Sequence, residues 1–185
     1  MLKKLLLFAG MLMPFICAAQ IDTLKIPIPM KNGIVYYEKS YDLNTSLPKQ
    51  VHFKNAVNWF KTSFSNIGGD IKIADEKSGE ITGRGVFKIK VNPNGNYYWL
   101  RFDVDITLSD STYTFKAYHV YEKPIEKGIS NEFSKIEYRW WDYRQGHPWS
   151  PEDSVLFKVL DSKMDTLMIS LQHKLSLNYD TLQHK

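Results

Sequence analysis

The chain reads as a single α+β domain with the element order β-α-β-β-β-β-α, and three observations carry that assignment. Residues 81–91 and 98–108 alternate apolar and polar positions on either side of a turn, as half-buried strands do. Residues 156–175 place Leu156, Leu160, Met164, Leu167, Leu171 and Leu175 at spacings of three and four, the period of an amphipathic helix. Phe53, Val57, Phe60 and Phe64 repeat that spacing nearer the start of the chain.

Taken in order, residues 1–19 have the layout of a secretory leader. Lys3 and Lys4 precede an apolar run at 5–16, and Cys17-Ala18-Ala19 supplies small residues for cleavage, so the mature chain is expected to begin at Gln20 and to be exported to the periplasm or beyond. Gly10 and Pro14 interrupt a run already too short to span a membrane, and no transmembrane segment is expected in the mature chain. Lipid attachment at Cys17 is disfavoured by the bulky Pro14-Phe15-Ile16 before it. Without the leader, residues 20–185 fit one domain. Cys17 is the only cysteine, so the mature chain has no disulfide, thiol chemistry or cysteine-based metal site. The formal charge of +4 falls to +2 without Lys3 and Lys4, and acids and bases are interspersed, which argues against a nucleic-acid partner.

Residues 33–39 form the first strand, with Ile34, Val35 and Tyr37 as its β-formers. The first helix covers 48–64, with Ser46 as its N-cap and Pro48 in the first turn. Gly68-Gly69 ends it, and a second strand occupies 70–75. In the first long strand Ile81, Gly83, Gly85, Phe87, Ile89 and Val91 share the buried face, matched in the next by Tyr98, Leu100, Phe102, Val104, Ile106 and Leu108. Asn94-Gly95 is the expected tip of their hairpin. Asp110-Ser111 makes the next turn, after which Tyr113, Phe115, Ala117 and His119 face inward. Turns centred there set Phe87 beside Phe102, Ile89 beside Leu100, Val104 beside Ala117 and Ile106 beside Phe115, with Arg84, Asp105 and Lys116 in one row on the opposite face and Lys90 beside Trp99. The aromatic-rich connection 123–149 is the least regular stretch. The last helix runs over 151–176 behind Ser150-Pro151-Glu152-Asp153, which supplies a cap, a first-turn proline and acids near the positive helix end.

The helix bearing Asn58-Trp59-Phe60, the run Ala74-Asp75-Glu76-Lys77-Ser78-Gly79-Glu80-Ile81-Thr82-Gly83-Arg84-Gly85 and the turn Asp110-Ser111-Thr112-Tyr113 resemble a bacterial, Bacteroidetes-type family of secreted domains of unknown function with a TATA-box-binding-protein-like fold. The resemblance covers residues 28–121, and the family usually has Gly where this chain has Ser111. It implies a curved antiparallel sheet with both helices on one face and an envelope or secreted setting. It implies no activity, and the fold name by itself carries no DNA binding.

Two surfaces stand out. Arg84, Lys88, Trp99, Arg101, Asp103, Asp105, Lys116 and Tyr118 are expected together on the open sheet face, a candidate protein-binding surface since Trp and Arg are enriched in interface cores. An ordinary solvated face with cross-strand ion pairs is the alternative. Trp140, Trp141, Tyr143 and Trp149 form a candidate aromatic platform for a surface or cell-wall glycan, which requires exposed, nearly coplanar rings; the alternative is a flap over the core. Asp103 and Asp105 share a face, as an acid/base pair would, but without an apolar pocket around them. Gly79, Gly83 and Gly85 lie in a strand rather than before a helix, so they mark close packing rather than a phosphate loop. His52, His119, His147, His173 and His184 lack metal-ligand spacing, His119 being read as a core residue. No nucleophile, cofactor or metal is assigned. The sequence thus favours a non-enzymatic envelope protein with a protein partner, then a glycan-binding module, and lastly a hydrolase.

Overall fold

Strand-forming alternation and short turns lay down three long neighbouring strands, and everything else in the fold packs around them. The computed structural model describes residues 28–44, 46–93, 95–125 and 132–177; the leader and Asn94 lie outside these. The elements are β1 (Met30–Lys31), β2 (Ile34–Asp42), α1 (Lys49–Phe64), a 3-10 turn (Ser65–Ile67), β3 (Asp70–Asp75), β4 (Glu80–Lys90), β5 (Tyr97–Leu108), β6 (Thr112–Pro124), β7 (Ser134–Lys135), α2 (Tyr138–Arg144) and α3 (Pro151–Ser176). The sheet is antiparallel with the order β1-β2-β6-β5-β4-β3, and β7 pairs with β6 beyond the end of β2. It is the expected α+β architecture with added short elements.

The helices cover one face. Phe53, Trp59, Phe60 and Phe64 of α1 and the Leu/Met stripe of α3 meet Phe87, Leu100, Phe102, Ile106 and Phe115 in a continuous buried core. Gly85 is required there, because a Cβ would lie 2.2 Å from the Phe102 ring. α3 starts with a complete capping box, in which Ser150 and Asp153 satisfy each other's backbone N–H. Its far end is held by α1. Asn55 Nδ2 donates to the Leu177 carbonyl at 2.9 Å, and the buried His52 ring lies between the Leu175 and Asn44 carbonyls, 2.9 and 3.0 Å from its nitrogens. The Leu175 and Leu177 carbonyls, at the end of α3, have no partner within the helix, so α1 supplies one.

Three local expectations need correction. Ser46 does not cap α1; its hydroxyl donates to Asn44 Oδ1 at 2.7 Å. The β4–β5 register differs by two residues, pairing Phe87 with Leu100, Gly85 with Phe102, Lys88 with Trp99 and Lys90 with Tyr97. The turn is centred one residue earlier than Asn94-Gly95, since Gly95 N–H donates to the Asn92 carbonyl and Val91 N–H to that of Asn96. Pro93 in the second turn position and Gly95 in the fourth outweigh the Asn-Gly signal. A shift of two preserves both faces.

The third correction concerns His119. Arg101 pairs with Tyr121 and Asp103 with Tyr118, so His119 and Val120 together oppose Phe102, and His119 adopts a left-handed φ of 52°. This β-bulge turns the His119 ring to the outer face, where Nδ1 lies 3.0 Å from Asp103 Oδ2. Beyond it the alternation resumes one residue later, so Val120 and Glu122 face the helices while Tyr121 and Lys123 face outward.

Candidate functional site

The outer sheet face carries all eight residues expected there, and the observed register sorts them into two halves. Across β4, β5 and β6, Lys88, Trp99 and Lys123 form one row and Val86, Arg101 and Tyr121 the next. Neither row contains a carboxylate. The rows beyond are Arg84, Asp103 and Tyr118, then Thr82, Asp105 and Lys116, with Glu38 of β2 opposite Lys116. Lys116 therefore stands beside Asp105 as expected, but Arg84 stands beside Asp103 instead.

The acidic half is internally satisfied. Asp103 takes Lys72 at 3.4 Å and His119 at 3.0 Å, and Lys116 lies 3.6 Å from Glu38. Tyr118 donates its hydroxyl to Asp105 Oδ2 at 2.8 Å, and partial burial together with that bond pushes its pKa up to about 12. Asp103 and Asp105 thus have partners of their own.

The basic half differs. Arg84, Val86, Trp99, Arg101, Lys123 and Phe133 border a groove of about 300 Å³. The Arg101 guanidinium lies 4.3 Å from the centre of the Phe133 ring and 5.2 Å from that of Tyr121; Lys88 lies 4.5 Å from Tyr97. Among the described residues, no carboxylate comes within ion-pairing reach of Arg84, Lys88, Arg101 or Lys123. Sequence reasoning found Arg84, Lys88, Trp99 and Arg101 but missed Lys123, Val86 and Phe133. The inward step from Ala117 to Val120, three residues instead of two, was the available sign that Lys123 turns outward.

The tryptophan-rich segment is mostly packing. Trp140 and Trp149 lie against Phe157 of α3 and meet each other at 77°, while Tyr143 stacks on Trp149 at 12°. The four rings are therefore not a coplanar platform, and Trp141 is the one of them that stands well exposed. Between this segment and the sheet lies a buried ion cluster: Arg139 Nε donates to both oxygens of Glu122, at 2.7 and 2.8 Å, and its terminal nitrogen bonds Asp153 of the α3 cap. Burial holds the Glu122 carboxyl above its ordinary pKa against the pull of Arg139.

The arrangement is an open antiparallel sheet with its helices on one face, and it is one that known proteins share. Residues 37–123 match DUF4468, a domain of unknown function with TBP-like fold. A DUF4468 family protein from Bacteroides ovatus has a crystal structure similar to this one, with a TM-score of 0.66 at 13% identity, covering 84% of this chain and 93% of that chain. A TBP-like protein from Parabacteroides distasonis gives 0.59 at 17% identity, covering 78% and 97%. At these identities the structures share the fold alone. No curated protein matches the chain. The DUF4468 match includes the basic half of the outer face up to Lys123 and stops before Phe133 and α2. Among the described residues no helix is long and apolar enough to cross a membrane.

Proposed function

We propose that this DUF4468 domain is a non-enzymatic interaction module of the cell envelope, which binds an acidic segment of a protein partner across the basic half of its outer face. The carrying observation is the groove in which Arg84, Arg101 and Lys123 have no carboxylate partner among the described residues yet stand beside Trp99 and Phe133. A guanidinium stacked on aromatic rings keeps its in-plane N–H edges available for a bidentate carboxylate contact, and the rings fix it beforehand. Trp99 and Phe133, both partly exposed, supply the apolar area that such an interface needs at its centre.

The test is photocrosslinking in the native envelope from a probe at position 99, with the captured peptide sequenced by mass spectrometry. One reproducible protein, crosslinked through an acidic segment and lost on Arg101→Glu, is the expected result. Capture of no specific protein, or capture indifferent to Arg101→Glu, overturns the reading.

A further inference from the structure

A second cavity, of about 560 Å³, is lined by Glu122, Ser134, Tyr138, Arg139, Trp141 and Asp142. Its chemistry is the reverse of the outer groove. Positions 138, 141 and 142 stand at i, i+3 and i+4 on α2, so they share one helix face. That face is open, with Tyr138 57% and Trp141 61% exposed. The floor is the Glu122–Arg139 pair. Arg139 is bonded by two carboxylates, Glu122 and Asp153, so this cluster already carries one surplus negative charge. Asp142 adds another, and its carboxylate has no partner among the described residues.

An anionic ligand would meet that surplus, since Arg139 is already engaged by its two carboxylates, and a purely apolar one would cover Asp142 without pairing it. A cation satisfies both features, because the faces of Trp and Tyr rings attract positive charge and the carboxylate supplies a counter-ion. We propose that this cavity binds an organic ammonium group, seated against Tyr138 and Trp141 and paired with Asp142. The group is either a small amine or the side chain of a lysine in a bound protein. Unlike the outer groove, the site requires no acidic partner, and it stands or falls independently of the function proposed above.

The experiment follows the indole N–H resonance of Trp141 by NMR, assigned with Trp141→Phe, during titration of the protein with n-butylammonium, with an end-blocked Ala-Lys-Ala peptide and with its neutral norleucine counterpart. Both amines are expected to shift the resonance saturably, the neutral peptide and methyl glucoside to leave it in place, and Asp142→Asn to weaken amine binding about fivefold or more. Asp142→Asn is isosteric at an exposed position, and an unchanged resonance of the buried Trp59 indole verifies its fold. Tighter binding of the lysine peptide than of butylammonium identifies a protein side chain as the source, and the reverse order a free amine. Equal shifts by the neutral peptide, binding of the glucoside instead, unaltered affinity in Asp142→Asn, or no saturable shift with either amine overturns the proposal.

Discussion

Deleting His119 from the middle of a central strand is expected to leave the protein folded. The bulge opposes two residues of β6 to Phe102, and His119 is the one whose side chain lies outside. Without it, Ala117 and Val120 become inward neighbours two positions apart, Tyr118 and Tyr121 their outward counterparts, and the pairing of Arg101 with Tyr121 continues the register of Asp103 with Tyr118 unbroken. The deletion removes a non-glycine residue at φ 52°, a conformation that costs about 1–2 kcal/mol. It also loses the His119–Asp103 contact between half-exposed side chains, worth about 0.2–1 kcal/mol after solvent screening. The two offset to within about 1 kcal/mol, or about 2–4 °C in Tm for a domain of this size. Circular-dichroism melting of the deletion is the assay, with deletion of Val120 as control. That control draws the His119 imidazole into a fully buried position, giving up about 1.5–3 kcal/mol of valine burial and leaving a polar ring without a partner. If the His119 deletion is unfolded, or loses as much stability as the Val120 deletion, the account of the bulge is wrong.

Arg139→Met leaves Glu122 and Asp153 facing each other without their cation and is expected to cost about 3–5 kcal/mol in urea unfolding; a loss below about 1 kcal/mol would show that the cluster does not hold α2 in place. Gly85→Ala drives a Cβ into the Phe102 ring and is expected to cost about 1–3 kcal/mol by thermal melting, whereas an unchanged Tm would mean the sheet has room there. Glu122→Gln tests the raised carboxyl pKa. A carboxyl whose folded pKa exceeds its unfolded one contributes stability at low pH that is lost as pH climbs through the folded value. The stability of wild type relative to Glu122→Gln is therefore expected to fall as pH rises from the ordinary carboxyl value of 4.5, and a difference that grows over this range refutes the assignment.

Local signals were legible where local physics decides. α3 occupies 151–176 as its period and cap indicate, because Ser150, Pro151 and Asp153 act within one turn. The faces of β4 and β5 follow from side-chain alternation, so Arg84, Lys88, Trp99 and Arg101 were readable as neighbours. Register was less legible, since two turn signals overlap at 92–95 and Pro93 with Gly95 prevails. β7 and α2 were not legible at all. Two paired residues and a seven-residue helix have no period to detect, and α2 is fixed by Arg139 reaching Glu122 on β6 and Asp153 on α3. Phe133 and Lys123 enter the groove through that same tertiary arrangement and through the bulge, neither of which composition reveals.

The attachment of α1 to the end of α3 also governs the order in which the structure can close. His52 reaches the Leu175 carbonyl across 123 residues, Trp59 reaches Ser170 across 111, and Tyr37 reaches Asp161 across 124. In a chain emerging N-terminus first, α1 and the whole sheet therefore appear before the helix that completes their cover, leaving Leu100, Ile106 and Phe115 with part of their packing missing. Contacts of such separation slow folding, because the intervening loop must be closed before they form. The contacts that α3 makes at Asp161, Ser170 and Leu175 are thus the last to become available, and they close the cover over the sheet only once nearly the whole domain has been made.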